Sequence, residues 1–200
     1  MAAMAKAAQM GGAVAIRAQG VKDIRAIKAQ VKLPLIGIIK KSYKGSPVYI
    51  TPTRQEVKAL LRVKARIIAL DATSRRRPKD EDLQDLVEMI HAGKALAMAD
   101  VSTLREGMEA QNLGVDMIST TLAGYTPYSR QKPEPDLGLL KSLVEQCDIP
   151  IIGEGRFETP EQVTQAMKLG AYGVVIGKAI TIPQAITLKF AKAAAKGIRG

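Results

Sequence analysis

Ile67-Ile68-Ala69-Leu70-Asp71, four apolar residues closed by an acid, is the stretch whose reading decides the fold. A run that is apolar at every position keeps no face for water, so it suits a strand buried on both sides, the condition of parallel sheets. The same form recurs at Ala13-Val14-Ala15-Ile16-Arg17, Leu35-Ile36-Gly37-Ile38-Ile39-Lys40, Leu96-Ala97-Met98-Ala99-Asp100, Met117-Ile118-Ser119-Thr120-Thr121, Pro150-Ile151-Ile152-Gly153-Glu154 and Gly173-Val174-Val175-Ile176-Gly177. Amphipathic helices separate most of these segments, which makes parallel pairing the natural topology.

The helix boundaries support this alternation independently. Thr53-Arg54-Gln55-Glu56, Thr103-Leu104-Arg105-Glu106 and Thr159-Pro160-Glu161-Gln162 are capping boxes, the last with proline at the first helical position, where its missing N–H is harmless. Met10-Gly11-Gly12, Leu113-Gly114 and Leu169-Gly170 place glycine where a helix ends, just before a strand. The chain therefore reads as an α/β protein of the (β/α)8 TIM-barrel type with seven core strands evident. A helix over Ala2–Gln9 stands where a first strand would precede it. Residues 1–200 read as a single, N-terminally shortened barrel domain. The strands at 13–17 and 173–177 are expected to carry free edges, to be covered by the N-terminal residues or by a partner chain.

Composition narrows the class. Two hundred residues with 46% hydrophobic content suffice for one substantial core. One cysteine, Cys147, excludes an intramolecular disulfide framework and fits a reducing compartment, where it reads as a buried, inert thiol. No apolar run reaches the ~18 residues of a membrane span and no leader pattern is present, so the cytoplasm is the expected location. The net charge of +11 is concentrated early, residues 1–66 holding fourteen Lys and Arg against Asp23 and Glu56. With 4% aromatics and no tryptophan, a solvated basic face or the steering of an anionic substrate is favoured over nucleic acid.

Barrels of this type place their chemistry at the carboxyl ends of their strands, which here carry Arg17, Lys40, Asp71, Asp100, Thr121 and Glu154. Lys40 and Glu154 are the candidate acid–base pair. A lysine serving as a base must come down from ~10.4 to ~7–8, about 3–4 kcal/mol against the charged form, which burial would have to supply. A structural Lys40–Glu154 ion pair is the alternative for the same two residues, and Asp71 and Asp100 read equally as anchors for their neighbours. His91, on a helix expected over Asp80–Ala92, reads as a surface residue. Gly153-Glu154-Gly155-Arg156 and Gly177-Lys178-Ala179-Ile180-Thr181 follow the last two strands and combine glycine with a cation, the pattern of a phosphate site built on backbone N–H groups. Long polar loops, Arg75-Arg76-Arg77-Pro78-Lys79 and Tyr125 to Pro135, are expected on the same face.

These residues resemble those of the N-acetylmannosamine-6-phosphate 2-epimerases of sialic acid catabolism. The resemblance spans nearly the whole chain, through Gly12 to Ala18, Ile36 to Lys40, Ile67 to Thr73, Met98 to Thr103, Thr120 to Thr126, Glu154-Gly155-Arg156 and Gly177 to Thr181. It implies proton exchange at C2 between N-acetylmannosamine 6-phosphate and N-acetylglucosamine 6-phosphate, with no metal or redox cofactor. It further implies Lys40 and Glu154 as catalytic residues, sugar contacts at Arg17, Asp100, Thr121 and Tyr125, phosphate contacts at Gly155, Arg156, Gly177 and Lys178, and possible homodimerisation. The chain departs from the family pattern at its start, which lacks a first strand bearing Gln-Ala-Leu, and at Gln19, Ala123, Lys178 and Ile182. A non-catalytic sugar-phosphate binder and a lyase using Lys40 as a Schiff-base amine are the other two functions compatible with these positions.

Overall fold

The structure is a computed structural model that describes residues 1–197. Helices α1 (Ala2–Met10), α2 (Val21–Lys28), α3 (Arg54–Arg62), α4 (Leu83–Ala92), α5 (Leu104–Asn112), α6 (Leu137–Gln146) and α7 (Pro160–Lys168) alternate with strands β1 (Ile16–Gln19), β2 (Leu35–Ile38), β3 (Ile67–Asp71), β4 (Leu96–Asp100), β5 (Met117–Ser119), β6 (Ile151–Glu154) and β7 (Gly173–Val175). Two further helices, α8 (Lys178–Thr181) and α9 (Pro183–Gly197), follow β7. All seven strands pair in parallel and in chain order, so each of α2 to α7 is a crossover between neighbours.

Strand alternation sorts the apolar side chains into two cores. Leu35, Ile68, Leu70, Ala97, Ala99, Ile118 and Ile151 point outward and pack under the helices with Ile24, Leu60, Leu86 and Leu140. Ile36, Ile38, Ala69, Met98 and Ile152 point inward and fill the barrel's interior, joined by Ile67, Met117 and Val175. Two residues further along, the same inward parity carries Asp71, Asp100, Ser119 and Glu154 to the carboxyl-end mouth. Sequence spacing alone thus puts the acids above a dry interior.

The expected caps are present. All three Thr-led boxes close reciprocally. Gly12, Gly114 and Gly170 adopt positive φ beyond their helices, and the amides after them, on Ala13, Val115 and Ala171, donate back to Ala8, Ala110 and Ala166. That closure consumes Gly12 and Ala13, which is why β1 begins at Ile16 and not at Ala13. The carboxyl ends also shorten. Thr120 leaves β5 to bond the Glu154 backbone through its hydroxyl, at 2.9 Å to the carbonyl and 3.0 Å from the N–H. Gly177 leaves β7 to start α8.

Between β2 and α3, residues 48–53 form the returning arm of a small hairpin. Lys40 pairs antiparallel with Ile50, Tyr43 with Ser46, and the Asp71 amide donates to the Ile50 carbonyl, so the hairpin lies against the ends of β2 and β3. It carries Tyr49 onto the inner core. Among the described residues β1 and β7 pair with no strand on their outer sides. Helix α1 packs on α2 in the helical layer and does not take a strand's place. No helix among the described residues is long and apolar enough to cross a membrane. Cys147 is buried as expected, and burial pushes its thiol up. His91 is exposed, with Nε2 2.8 Å from Asp116 Oδ2, on a helix that starts at Leu83 and not at Asp80 because Asp82 is its cap.

Candidate active site

Arg17, Asp100, Thr121 and Glu154 come from four non-adjacent parts of the chain and meet inside the mouth. Arg17 points inward from the middle of β1 and binds Asp100 with both terminal nitrogens, Nη1 to Oδ1 at 3.0 Å and Nη2 to Oδ2 at 2.6 Å. The same Nη1 lies 3.0 Å from Glu154 Oε2. Side-chain exposure is 8% for Arg17, 0% for Asp100 and 16% for Glu154, so these charges interact with little water between them. Burial works against the Arg17 charge, but Asp100 and Glu154 outweigh it and hold the guanidinium more firmly protonated than usual. Burial also pushes the Glu154 carboxyl up; Asp100 adds to the rise and Arg17 opposes it. One cation serves two carboxylates, and Glu154 is the one left under-compensated.

Two hydroxyls complete the cluster. Thr121 Oγ1 donates to Asp100 Oδ1 at 2.7 Å and lies 2.8 Å from Ser119 Oγ, which in turn is 3.5 Å from Glu154 Oε2. Ser119 is fully buried and escaped sequence reasoning. A serine at inward parity in an otherwise apolar strand was the available signal.

Lys40 sits at the end of β2, past its last ladder residue, and is exposed. The expectation of a buried Lys40 is therefore corrected. The Lys40–Glu154 ion pair is corrected as well, because Arg17 takes that carboxylate and no carboxylate of the described residues lies within 4.0 Å of the Lys40 amine. A short β1 brings Arg17 in one layer below the mouth, while Lys40 is carried beyond it by the hairpin.

Asp71 anchors its own loop, as the alternative reading had it. It accepts from the Thr73 amide and hydroxyl, at 3.0 and 2.7 Å, and pairs with Arg75 at 2.7 Å. Burial raises its carboxyl in spite of these partners. Tyr49 stands half-buried over the same region, and its hydroxyl is pushed up by burial and by the Asp71 charge, with Arg75 pulling the other way. Neither Tyr49 nor Arg75 was singled out from sequence, because only the hairpin fold places the tyrosine over the acids.

The expected phosphate residues divide. Arg156 turns its guanidinium onto the preceding loop, Nη1 to the Ala123 carbonyl at 2.6 Å and Nη2 to the Gly124 carbonyl at 2.8 Å, and stacks on the Tyr125 ring at 4.4 Å. A Cβ on Gly124, at φ +74°, would stand 2.2 Å from Arg156 Nη1, so the clamp depends on glycine there. Gly155, at φ +101°, lets β6 turn into the α7 loop against the carbonyls of Thr120 and Thr121. Gly177 and Lys178 are exposed at the start of α8, the lysine with its side chain toward solvent. Buried Glu106 holds three loops of this face together. It accepts from Ser102 N and Oγ, Thr103 N, Ser74 N and Tyr128 Oη at 2.6–3.0 Å.

Comparison with known proteins gives a consistent result. A family model described as "Putative N-acetylmannosamine-6-phosphate epimerase" matches residues 1–196. A Clostridium perfringens protein named "Putative N-acetylmannosamine-6-phosphate 2-epimerase" is 57% identical over 190 residues, 95% of this chain and 86% of the relative. A Clostridioides difficile protein of the same name is 51% identical over 193 residues, 96% of this chain and 86% of the relative. The solved structure of the N-acetylmannosamine-6-phosphate 2-epimerase from Clostridium perfringens superposes with a TM-score of 0.94 at 56% identity, covering 96% of this chain and 84% of that one. A thiamine phosphate pyrophosphorylase from Pyrococcus furiosus, at TM-score 0.62 and 18% identity, shares the barrel fold alone.

Proposed function

This chain belongs to the N-acetylmannosamine-6-phosphate epimerase family, and we propose that it interconverts N-acetylmannosamine 6-phosphate and N-acetylglucosamine 6-phosphate by moving the proton at C2. The observation that carries the assignment is the Arg17–Asp100–Glu154 cluster, buried at the carboxyl ends of β1, β4 and β6 beneath a mouth flanked by Lys40. With the sugar open, the C1 aldehyde acidifies C2. The Lys40 amine, which faces solvent and accepts only after giving its own proton to water, takes the C2 proton, and the electron pair moves into a C1–C2 double bond with negative charge on the C1 oxygen. Arg17, locked by Asp100, offers a fixed cation to that charge without reorganising. Glu154, whose carboxyl is raised by burial, returns a proton to the opposite face of C2.

Thr121 and Tyr125 line the same face as sugar contacts. The phosphate is assigned to Gly155, Arg156, Gly177 and Lys178, with Lys178 as the exposed cation and Arg156 shaping the loop it clamps. Anchoring the phosphate at one end turns its binding energy into orientation at C2. We read residues 1–200 as one barrel domain acting in the cytoplasm on a small-molecule substrate. A homodimer belongs to the same proposal, supported by Leu188 and Phe190, which α9 leaves exposed.

The test is solvent-deuterium incorporation at C2, followed by NMR. Lys40→Met should lower exchange by at least ~100-fold in a protein that melts like the parent. Exchange at the parental rate in that variant overturns the role of Lys40.

A further inference from the structure

A line of side-chain oxygens leads from Asp100 toward Glu154, with its longest step at the Glu154 end. From Asp100 Oδ1 it passes to Thr121 Oγ1 at 2.7 Å, to Ser119 Oγ at 2.8 Å and to Glu154 Oε2 at 3.5 Å. With Thr121 donating to Asp100, the short Ser119–Thr121 contact takes the Ser119 proton, so the longer contact to Glu154 can be bridged only by a third proton. The third has one source in this cluster, a carboxyl group. Charge leads to the same count. Two ionised carboxylates against one guanidinium would leave a buried net negative charge, and a single added proton makes the cluster neutral.

We propose that Ser119 and Thr121 form a proton relay through which Glu154 and Asp100 share one proton. In one state Glu154 is the acid: its O–H donates to Ser119, Ser119 donates to Thr121, and Thr121 donates to the Asp100 carboxylate. In the other, each proton has moved one place. The Glu154 O–H breaks as a new Ser119 O–H forms, the old Ser119 O–H breaks as that of Thr121 forms, and the old Thr121 O–H breaks as Asp100 Oδ1–H forms. Each hydroxyl loses one proton and gains one, the net charge is unchanged, and no other reactant takes part. Burial, which raises the Glu154 carboxyl, favours the first state, while Arg17 and the Thr121 and Ser119 hydroxyls pull the other way.

The charged and titratable groups facing the relay are Arg17 from β1, Tyr49 from the hairpin, and Asp71 from β3, the register partner of Asp100 and itself paired with Arg75. Lys40 stands at the neighbouring strand end. An enzyme that runs its reaction in both directions needs Glu154 as acid in one and as base in the other. The relay supplies both forms without drawing a proton from bulk water. Ser119 and Thr121 are on this account positioning residues that act through Glu154.

This inference rests on the acid–base role given to Glu154 above, so the test has two arms. The first is the pH dependence of kcat and KM for epimerisation in Ser119→Ala, Thr121→Val and Thr121→Ser. Removing either hydroxyl should lower kcat about tenfold or more and displace the acid limb of the kcat profile; Ser119→Ala should leave KM within about twofold, Thr121→Val should also raise KM because it removes a sugar contact, and Thr121→Ser should restore the profile. The second arm needs no turnover. Infrared spectra of the parent at neutral pH should contain a protonated-carboxyl band that Glu154→Gln removes. An unaltered kcat profile in Ser119→Ala and Thr121→Val overturns the relay, as does the absence of that band in a folded, active parent. A parent that shows the band and no exchange at C2 overturns the functional reading and leaves the shared proton standing.

Discussion

Replacing Glu106 by glutamine tests how the mouth is held in shape. In the parent, Oε2 accepts from Ser102 N, Ser102 Oγ and Thr103 N, and Oε1 accepts from Ser74 N and Tyr128 Oη. Glutamine offers one acceptor oxygen and one NH2. With the carbonyl on the crowded Oε2 side, the NH2 confronts Ser74 N–H and Tyr128 O–H; the hydroxyl turns to accept, but the Ser74 amide is left facing a donor. One unmade buried hydrogen bond plus the lost charge assistance amounts to about 2–4 kcal/mol. For a domain of this size that is a fall in Tm of roughly 5–15 °C.

The pH dependence of that gap has a definite sign. Burial pushes the Glu106 carboxyl up, but hydrogen bonds from Tyr128, Ser102 and the Ser74 and Ser102 amides overcome it and hold it below the ordinary range. A carboxyl depressed by folding stabilises fully above its unfolded value of ~4.3 and stops doing so as pH falls through its folded value. Thermal melts of parent and variant should therefore differ most near neutrality and converge in acid. Equal Tm values at pH 7, or a gap that persists undiminished in strong acid, would refute this account of Glu106.

Two other substitutions have equally definite outcomes. Gly124→Ala places a methyl where Arg156 Nη1 now lies, at a φ of +74°, and should cost about 1–3 kcal/mol in denaturant melts while raising KM more than it lowers kcat. Asp100→Asn leaves Arg17 buried with Glu154 as its one remaining carboxylate; urea unfolding should show a loss of about 3 kcal/mol, and kcat should fall with it.

What could be read without coordinates follows from periodicity and local chemistry. The inward positions of Asp71, Asp100 and Glu154 follow from strict alternation along short strands, and the Thr53, Thr103 and Thr159 boxes from contacts three residues apart. Partners across the barrel were not legible, because they depend on stagger. Arg17, register partner of Ile36, reaches Asp100 and Glu154 only because successive strands are offset as the sheet curls. The contacts of Arg156 were hidden for the same reason. A cation after Gly155 suits a phosphate by type, but its two bonds to the Ala123 and Gly124 carbonyls depend on how the two loops meet. Glu106 was recognised as a helix cap, while its reach to Ser74 and Tyr128 spans loops far apart in sequence.

The guanidinium of Arg17 also acts as a mechanical tie. It sits on the first strand of an unclosed sheet and grips acids on the fourth and sixth, cross-bracing walls that no backbone ladder joins directly. Polar groups gathered for chemistry ordinarily cost a protein some robustness, and deleting them tends to harden the scaffold. Here the trade runs the other way. A descendant that abandoned turnover by losing Asp100 or Glu154 alone would strand a buried guanidinium and slacken its own frame, so the architecture itself gives selection a reason to keep them together.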